Sequence, residues 1–209
     1  RDARIGELED EDWQTIFRLR IRAEQAAEVA KALHHIDPSR FLFLDRLDQV
    51  QVAVDGQSAQ WSLCRTGRQA PVPGTRCYRL QIRQNDAPVA EYQVVKRALP
   101  QLRPAKEAEI GEAEIGFAWQ VDGIYDEADG ASDRVSNFFA TDCRSPLQAI
   151  AVHGTFLLKA DRSRLAEDDL PYQRGLIKAL CALLGEVVIP ALVQQDGSGA
   201  LNYLIPTNP

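Results

Sequence analysis

Along much of this chain, hydrophobic and polar residues alternate with a period of two, which is the pattern of strands that bury one face. Residues 13–22 put three apolar side chains on one face and three arginines on the other, and they predict a half-buried strand. Residues 49–97 hold four further alternating segments, and Asp55-Gly56 separates the first two. Because Asp-Gly favours a two-residue hairpin turn, we expect an antiparallel meander over residues 49–97.

Three more strands are predicted in the second half of the chain. Residues 113–121 are largely apolar and predict a strand, and the acidic, glycine-rich residues 122–133 predict an exposed hairpin loop. Residues 134–141 are then expected to form the return strand. Residues 148–158, "QAIAVHGTFLL", are almost continuously apolar. That composition is typical of a strand in the centre of a sheet, buried on both faces.

Two segments change to the 3.6-residue period of an amphipathic helix. The first, residues 23–36, ends at Asp37-Pro38, because the residue before a proline is pushed out of helical geometry. The second, residues 170–195, has a stronger apolar stripe, and Pro190 is expected to end or kink it. Residues 196–209 predict a terminal loop. This order of elements predicts an α+β fold, a mixed and largely antiparallel sheet with helices packed on one face.

Composition places the chain among ordinary globular proteins, since its 209 residues are 45% hydrophobic and 26% charged. The net charge of −6 argues against a dedicated nucleic-acid binder. No apolar run reaches the roughly 18–20 residues of a membrane helix, so no membrane association is expected. The N-terminus does not resemble a signal peptide. The chain has no methionine, even at position 1, so we expect a piece of a longer protein.

Four cysteines are spread along the chain without a C-x-x-C pair: Cys64, Cys77, Cys143 and Cys181. This spacing favours reduced, mostly buried thiols in a cytoplasmic protein. Zinc ligation needs ligands that lie closer together in the sequence, so no metal site is expected.

His153 is the histidine that lies inside a predicted strand, which makes it the first candidate for catalysis. With Cys143 or Ser145 and an aspartate it would form a hydrolase triad. Neither Cys143 nor Ser145, however, lies on a nucleophile elbow, so a hydrogen-bonded structural histidine is the better interpretation. The neighbouring Gly154 lacks a Cβ atom, which allows another group to approach the backbone closely.

Arg162 is the stronger candidate for a binding role. Asp161 is a suitable N-cap, and it would place Arg162 in the first turn of a helix. Helix N-termini attract anions, and the guanidinium group matches phosphate oxygens. The alternative is that Arg162 pairs with a nearby aspartate at the surface. Lys159 and Arg164 are alternative phosphate donors at the same corner.

Residues 136–165 resemble the block that follows the nucleotide-binding domain in sacsin-like, heat shock protein 90-like ATPases of the GHKL superfamily. The matching positions are Phe138-Phe139, Ser145-Pro146-Leu147, His153-Gly154-Thr155-Phe156 and Asp161-Arg162. The sequence departs from the pattern at Ala140, where these ATPases usually have proline. Residues 13–190 are similar in outline, and the match is strongest over residues 136–165.

The resemblance implies that the chain is a middle, or transducer, domain, and that a preceding domain binds ATP and Mg. None of the nucleotide-binding motifs of that domain occurs here, so no cofactor is expected in this piece. In such ATPases the second domain sends a basic side chain to the γ-phosphate when the domains close, and Arg162 matches its position. Lys159 and Arg164 are the other candidate contacts.

The resemblance also implies a division of the chain and a set of partners. Residues 1–22 would be the end of the nucleotide-binding domain, residues 23–195 the middle domain, and residues 196–209 a C-terminal loop. The partners would be the preceding nucleotide-binding domain and a protein partner or client. The alternatives are a stand-alone protein-interaction module and, with less support, a hydrolase that uses His153 and Cys143.

Overall fold

The structure is a computed structural model, and it divides the chain into two units, residues 1–35 and 36–209. The described residues are 22–34, 36–54, 57–68, 70, 72–104, 112–121, 134–137, 139–147, 149–159 and 169–204. In the first unit, a 3₁₀ turn over Ala23–Gln25 leads into helix α1, Ala26–His34. The helix predicted over residues 23–36 is therefore confirmed. The strand predicted over residues 13–22 lies outside the described residues, apart from its last position.

An eight-stranded sheet forms the body of the second unit, in the order β1-β2-β3-β4-β5-β8-β6-β7. Its neighbouring strands are antiparallel except β6 and β8, which run parallel. The predicted α+β class with a mixed, largely antiparallel sheet is confirmed. The strands are β1 Gln49–Val54, β2 Gln57–Arg68, β3 Thr75–Gln84, β4 Ala87–Ala98, β5 Glu114–Gln120, β6 Arg134–Asn137, β7 Phe139–Arg144 and β8 Ala151–Gly154.

The meander predicted over residues 49–97 corresponds to β1–β4. Val54 lies opposite Gln57, which fits a two-residue connection between β1 and β2. Asn85 and Asp86 connect β3 to β4 with φ angles of +48° and +67°. Both angles lie in the left-handed region that type I′ turns require, and Asn and Asp tolerate it better than most residues.

The predicted return strand, residues 134–141, is wrong in its pairing and its extent. The structure has two short strands there, β6 and β7, and neither is a neighbour of β5. Instead β8 inserts between β5 and β6, with Ile115 opposite Gly154 and Val135 beside Val152. The central position predicted for residues 148–158 is confirmed, although the strand itself covers four residues, all of them buried.

One long helical segment closes the described part of the chain. It consists of α2 Leu170–Leu183, a π-helical segment Leu184–Val188, α3 Ile189–Asp196, a 3₁₀ turn Gly197–Gly199 and α4 Ala200–Tyr203. Pro190 does not end the helix. The wider π turn comes just before Pro190, where a proline ring crowds the preceding helical turn and supplies no N–H donor. The loop predicted over residues 196–209 is likewise helical in its described part, and Ala200 is buried.

The sheet of the second unit is covered on both faces. On one face, the helical segment packs its buried residues, among them Leu176 and Leu183, against Ile115 and Phe117. On the other face lies the segment that begins with the 3₁₀ helix Pro38–Phe41, which Asp37 caps. That segment packs Phe41, Leu42 and Phe43 over a second cluster from β2, β3 and β4.

The helical stretch Leu170–Tyr203 is long and apolar enough, by length and composition, to cross a membrane, which was not expected from the sequence. Core helices pass the same test, so one such stretch is weak evidence. Leu176, Leu183 and Leu192 on this stretch are fully buried in the core with the sheet.

Candidate functional site

The predicted phosphate contacts belong to the junction that follows β8. Arg162 and Arg164 lie outside the described residues. Lys159, the third predicted donor, is described and is partly exposed. On the far side of the gap, Asp169 caps helix α2, because its side chain accepts a hydrogen bond from the Tyr172 N–H at 3.2 Å. The structure thus describes the two ends that bound the predicted site.

The first part of this junction, residues 155–157, is held by side chains from two other elements. Its three consecutive carbonyl groups each accept a hydrogen bond. The donors, in chain order of the carbonyls, are the hydroxyl of Tyr172 at 2.9 Å, the amide of Asn137 at 2.8 Å and the amide of Gln173 at 2.7 Å. Because Tyr172 and Gln173 lie in the first turn of α2 and Asn137 ends β6, the junction is anchored to both elements.

A row of residues in register crosses the sheet next to this junction. Lys96 of β4 lies opposite Gly116 of β5, Gly116 lies opposite His153 of β8, and His153 lies beside Ser136 of β6. Lys96, Gly116 and His153 lie on the sheet face that packs against Phe43. The row therefore brings a lysine and a histidine together inside the protein.

Gly116 has a clear steric role in this row. A Cβ atom at this position would lie 2.9 Å from the carbonyl oxygen of Val95, 3.2 Å from Cγ of Lys96 and 3.4 Å from the ring of Phe43. The first distance is shorter than real Cβ atoms show. The missing side chain leaves the space that Lys96 and Phe43 occupy.

Lys96 is almost completely buried, with 1% of its side chain exposed, and it contacts two carboxylates. Its Nζ atom lies 2.5 Å from Oε1 of Glu114 and 2.8 Å from Oδ2 of Asp45. The carbonyl oxygen of Phe43 lies at 3.5 Å. A buried ammonium group requires such compensation, since an unpaired charge in the interior is very costly.

Arg76 completes the set of charges by contacting the same two carboxylates. It donates to Oε2 of Glu114, and its guanidinium group lies 3.1 Å from Oδ2 of Asp45. The hydroxyl of Tyr78 donates to Oδ1 of Asp45 at 3.0 Å. Two cations thus face two carboxylates, and the formal charges balance. We call Asp45, Arg76, Lys96, Glu114 and His153 the buried network, of which Arg76 is the outermost member, with a side chain that is 57% exposed.

His153 joins the buried network with both ring nitrogens facing protein atoms. The side chain is 0% exposed. Nδ1 lies 3.1 Å from the carbonyl oxygen of Ser136, and Nε2 lies 3.5 Å from Oε1 of Glu114. The ring stacks on Phe43 with centroids 4.7 Å apart and an interplanar angle of 16°. The prediction of a buried, hydrogen-bonded histidine is confirmed.

The environment shifts the protonation equilibria in this network. Burial lowers the pKa of His153 below its ordinary value and thereby favours the neutral ring. Burial alone would raise the pKa of Glu114, but the neighbouring His153 ring and the Lys96 ammonium outweigh it and lower the pKa to about 2. Burial raises the pKa of Tyr78, and the neighbouring Asp45 adds to the effect. Near neutral pH the carboxylate of Glu114 is ionised and the imidazole is neutral.

These contacts suit a structural network better than a catalytic centre. Both carboxylates are occupied by cations, and His153 has no surface from which to reach a substrate. The hydrolase alternative therefore gains no support from this geometry, and the side chain of Cys143 in β7 lies outside what the structure describes. Within the described ranges, no group of three or more His, Cys, Asp or Glu side chains is placed to hold a metal ion.

The structure also tests the predictions made for Gly154 and for the cysteines. Gly154 does allow a close approach, because a Cβ atom there would lie 2.6 Å from the ring of Phe156. The prediction of mostly buried cysteines is wrong for the described ones, since Cys64 and Cys181 are exposed and Cys77 is partly buried. All three of these thiols are free.

Sequence reasoning identified His153 but missed the other four members of the buried network. A signal exists for two of them. In a strand, side chains two residues apart point to the same face. Lys96 follows Val94 by two residues and Glu114 precedes Gly116 by two, so both charges fall on inward-facing positions. No comparable pattern marks Asp45 or Arg76, which are brought in by the tertiary fold.

Comparisons with known proteins found no relative of this chain. No family model, no curated protein and no solved structure matches the chain. The resemblance to the middle domain of GHKL ATPases therefore stays a prediction from the sequence motifs.

Proposed function

We propose that this chain is the middle, or transducer, domain of a heat shock protein 90-like GHKL ATPase in the cytoplasm. In this role it couples the nucleotide state of a preceding domain to a protein partner or client. The observation that best supports the proposal is the anchored junction after β8, where three consecutive carbonyl groups are held by Tyr172, Asn137 and Gln173. A domain that presents a side chain to a phosphate needs a rigid support of this kind.

The proposed contact with the γ-phosphate comes from Arg162, with Lys159 and Arg164 as further donors. A guanidinium group near a helix N-terminus combines a rigid pair of N–H donors with positive potential. Its contribution would be to stabilise the charge that develops on the phosphoryl oxygens during transfer. ATP and Mg would be bound by the preceding domain, and this chain would supply the basic side chain as the domains close.

The test is ATP hydrolysis by the longer protein that contains this chain. Arg162→Ala is expected to lower kcat by at least about a hundredfold while it leaves nucleotide affinity nearly unchanged, because the contact forms as the reaction proceeds. Arg174→Ala is the matched control, since Arg174 is an exposed arginine on α2. Equal turnover in the two variants would remove Arg162 from the mechanism.

A stand-alone interaction module is the second candidate, and exposed apolar side chains on the helical segment favour it. Ile177, Val193 and Leu201 are 48%, 52% and 71% exposed. The sequence of the parent gene distinguishes the two candidates. A GHKL nucleotide-binding domain encoded directly upstream supports the transducer proposal, and its absence supports the interaction module.

A further inference from the structure

We infer that the buried network is a positioning device that couples the segment Phe41–Asp45 to the junction at residues 155–157. The segment lies close to the start of the second unit, and the junction leads toward the predicted phosphate contacts. The use of this coupling in an ATPase cycle rests on the proposed function. The coupling itself is a property of this chain and is testable without nucleotide.

The segment is held to the sheet by one stacking contact and several polar contacts. Phe43 stacks on His153 at 4.7 Å. Asp45 binds Lys96 at 2.8 Å and accepts a hydrogen bond from Tyr78 at 3.0 Å. Displacing the segment would therefore remove an aromatic neighbour from His153 and a carboxylate from Lys96 together.

The junction is connected to the same network through Glu114. The side chain of Glu114 contacts Lys96, Arg76 and His153. Its backbone carbonyl accepts from the N–H of Thr155 at 3.0 Å, and its N–H donates to Oγ1 of Thr155 at 3.1 Å. Thr155 also follows His153 by two residues on the same strand path. Two routes from the segment thus meet at the first residue of the junction.

Charge balance explains why the two ends should respond to each other. With the segment in place, Lys96 and Arg76 face Glu114 and Asp45, and the formal charges cancel. Without Asp45, Lys96 and Arg76 share one carboxylate. Arg76 is 57% exposed and stays solvated, but Lys96 is 1% exposed, so its buried charge loses one of its two carboxylate partners, which is expensive. Glu114 then adjusts toward the cations, and its backbone hydrogen bonds to Thr155 weaken. Polar networks in the interior behave cooperatively for this reason.

Amide hydrogen exchange of the whole chain tests the coupling with two chemically identical substitutions. Asp45→Asn removes a charge from the network. Asp48→Asn removes one three residues after the segment, but Asp48 pairs with Arg65 at 2.8 Å and its side chain is 86% exposed. We expect Asp45→Asn to accelerate exchange at the Thr155 amide by about fivefold or more, relative to the core amide of Val94. Asp48→Asn should leave this ratio unchanged.

A second test follows from thermodynamic reciprocity. If the segment affects the junction, a perturbation of the junction must affect the segment equally. Tyr172→Phe removes the 2.9 Å hydrogen bond to the carbonyl of Thr155. It should accelerate exchange at the Leu44 amide, which bonds to the carbonyl of Phe41 at 3.2 Å. If Asp45→Asn unfolds the whole protein, the same exchange measurement is made on Tyr78→Phe. That substitution removes only the 3.0 Å hydrogen bond to Asp45.

The outcomes separate this inference from the proposed function. Two results would overturn the coupling, whatever the ATPase assay shows. The first is an equal ratio of Thr155 to Val94 exchange in Asp45→Asn (or Tyr78→Phe) and in Asp48→Asn. The second is an unchanged exchange rate of the Leu44 amide in Tyr172→Phe. If the coupling is present but Arg162→Ala leaves ATP turnover intact, the inference stands and the proposed function falls.

Discussion

Lys96→Met is the most informative perturbation of stability, because Lys96 is a buried cation between two carboxylates. Methionine fills a similar volume without the charge, so the change tests electrostatics more than packing. In the native protein two cations face Glu114 and Asp45. After the substitution Arg76, whose side chain is 57% exposed, alone faces both, and the network carries a formal charge of about −1 at a partly solvated site.

The expected cost follows from the burial of the partners. Removing one member of a buried ion pair typically costs about 3–5 kcal/mol. Glu114 and Asp45 retain 13% and 26% exposure, so water partly relieves their repulsion. We therefore expect Lys96→Met to lower the free energy of unfolding by about 3 kcal/mol, the low end of that range. Adding Glu114→Gln to Lys96→Met restores charge balance. The free energy of unfolding of the double variant should therefore be about 1–2 kcal/mol higher than the sum of the two single losses predicts.

Urea unfolding followed by tryptophan fluorescence measures these differences, since Trp61 and Trp119 are both buried. Lys178→Met, at an exposed lysine of α2, is the control and should change stability by no more than about 0.5 kcal/mol. A cost for Lys96→Met below about 1 kcal/mol, or strictly additive costs in the double variant, would refute the argument that charge balance stabilises this network.

Two further predictions concern the same region. Gly116→Ala should cost about 1–3 kcal/mol in the urea assay, because its Cβ would press on the carbonyl of Val95, whereas Gly67→Ala, at a position with open space, should cost less than about 1 kcal/mol. Stability should also fall on acidification. The pKa of His153 is lowered in the folded state, so the unfolded chain gains the proton first below about pH 6.5. The Glu114 contribution is lost as the pH falls from 4.5 toward the folded pKa of about 2. A urea midpoint that increases as the pH is lowered from 7 to 5 would contradict the His153 assignment, and one that increases as the pH is lowered from 4.5 toward 2 would contradict the Glu114 assignment.

Local patterns in the sequence were sufficient for the meander and the main helix. The strands β1–β4 could be predicted because each alternates over its length and the next strand follows a short turn, as at Asn85-Asp86. The helix from Leu170 could be predicted because its apolar stripe repeats over several turns. In both cases the signal and the structure it predicts lie within a few residues of each other.

The order of the last strands could not be predicted in this way. A hairpin between residues 113–121 and 134–141 was the simplest expectation, but β8 takes the place beside β5. Pairing of β8 with both β5 and β6 depends on which apolar faces can be buried together, and that is a property of the assembled sheet. The continuation of the helix beyond Pro190 likewise depends on Val188 and Leu192, which are buried on either side of it.

The sequence by itself therefore determined the α+β class, the meander, the long helix and the burial of His153, because these depend on periodicity and composition along the chain. The tertiary structure alone decided that His153, Lys96 and Glu114 meet, and that Asp45 and Arg76 join them from distant positions. The physical reason is that a buried charge is stable only where opposite charges converge on it, and that convergence is set by strand order and register. No local pattern contains this information.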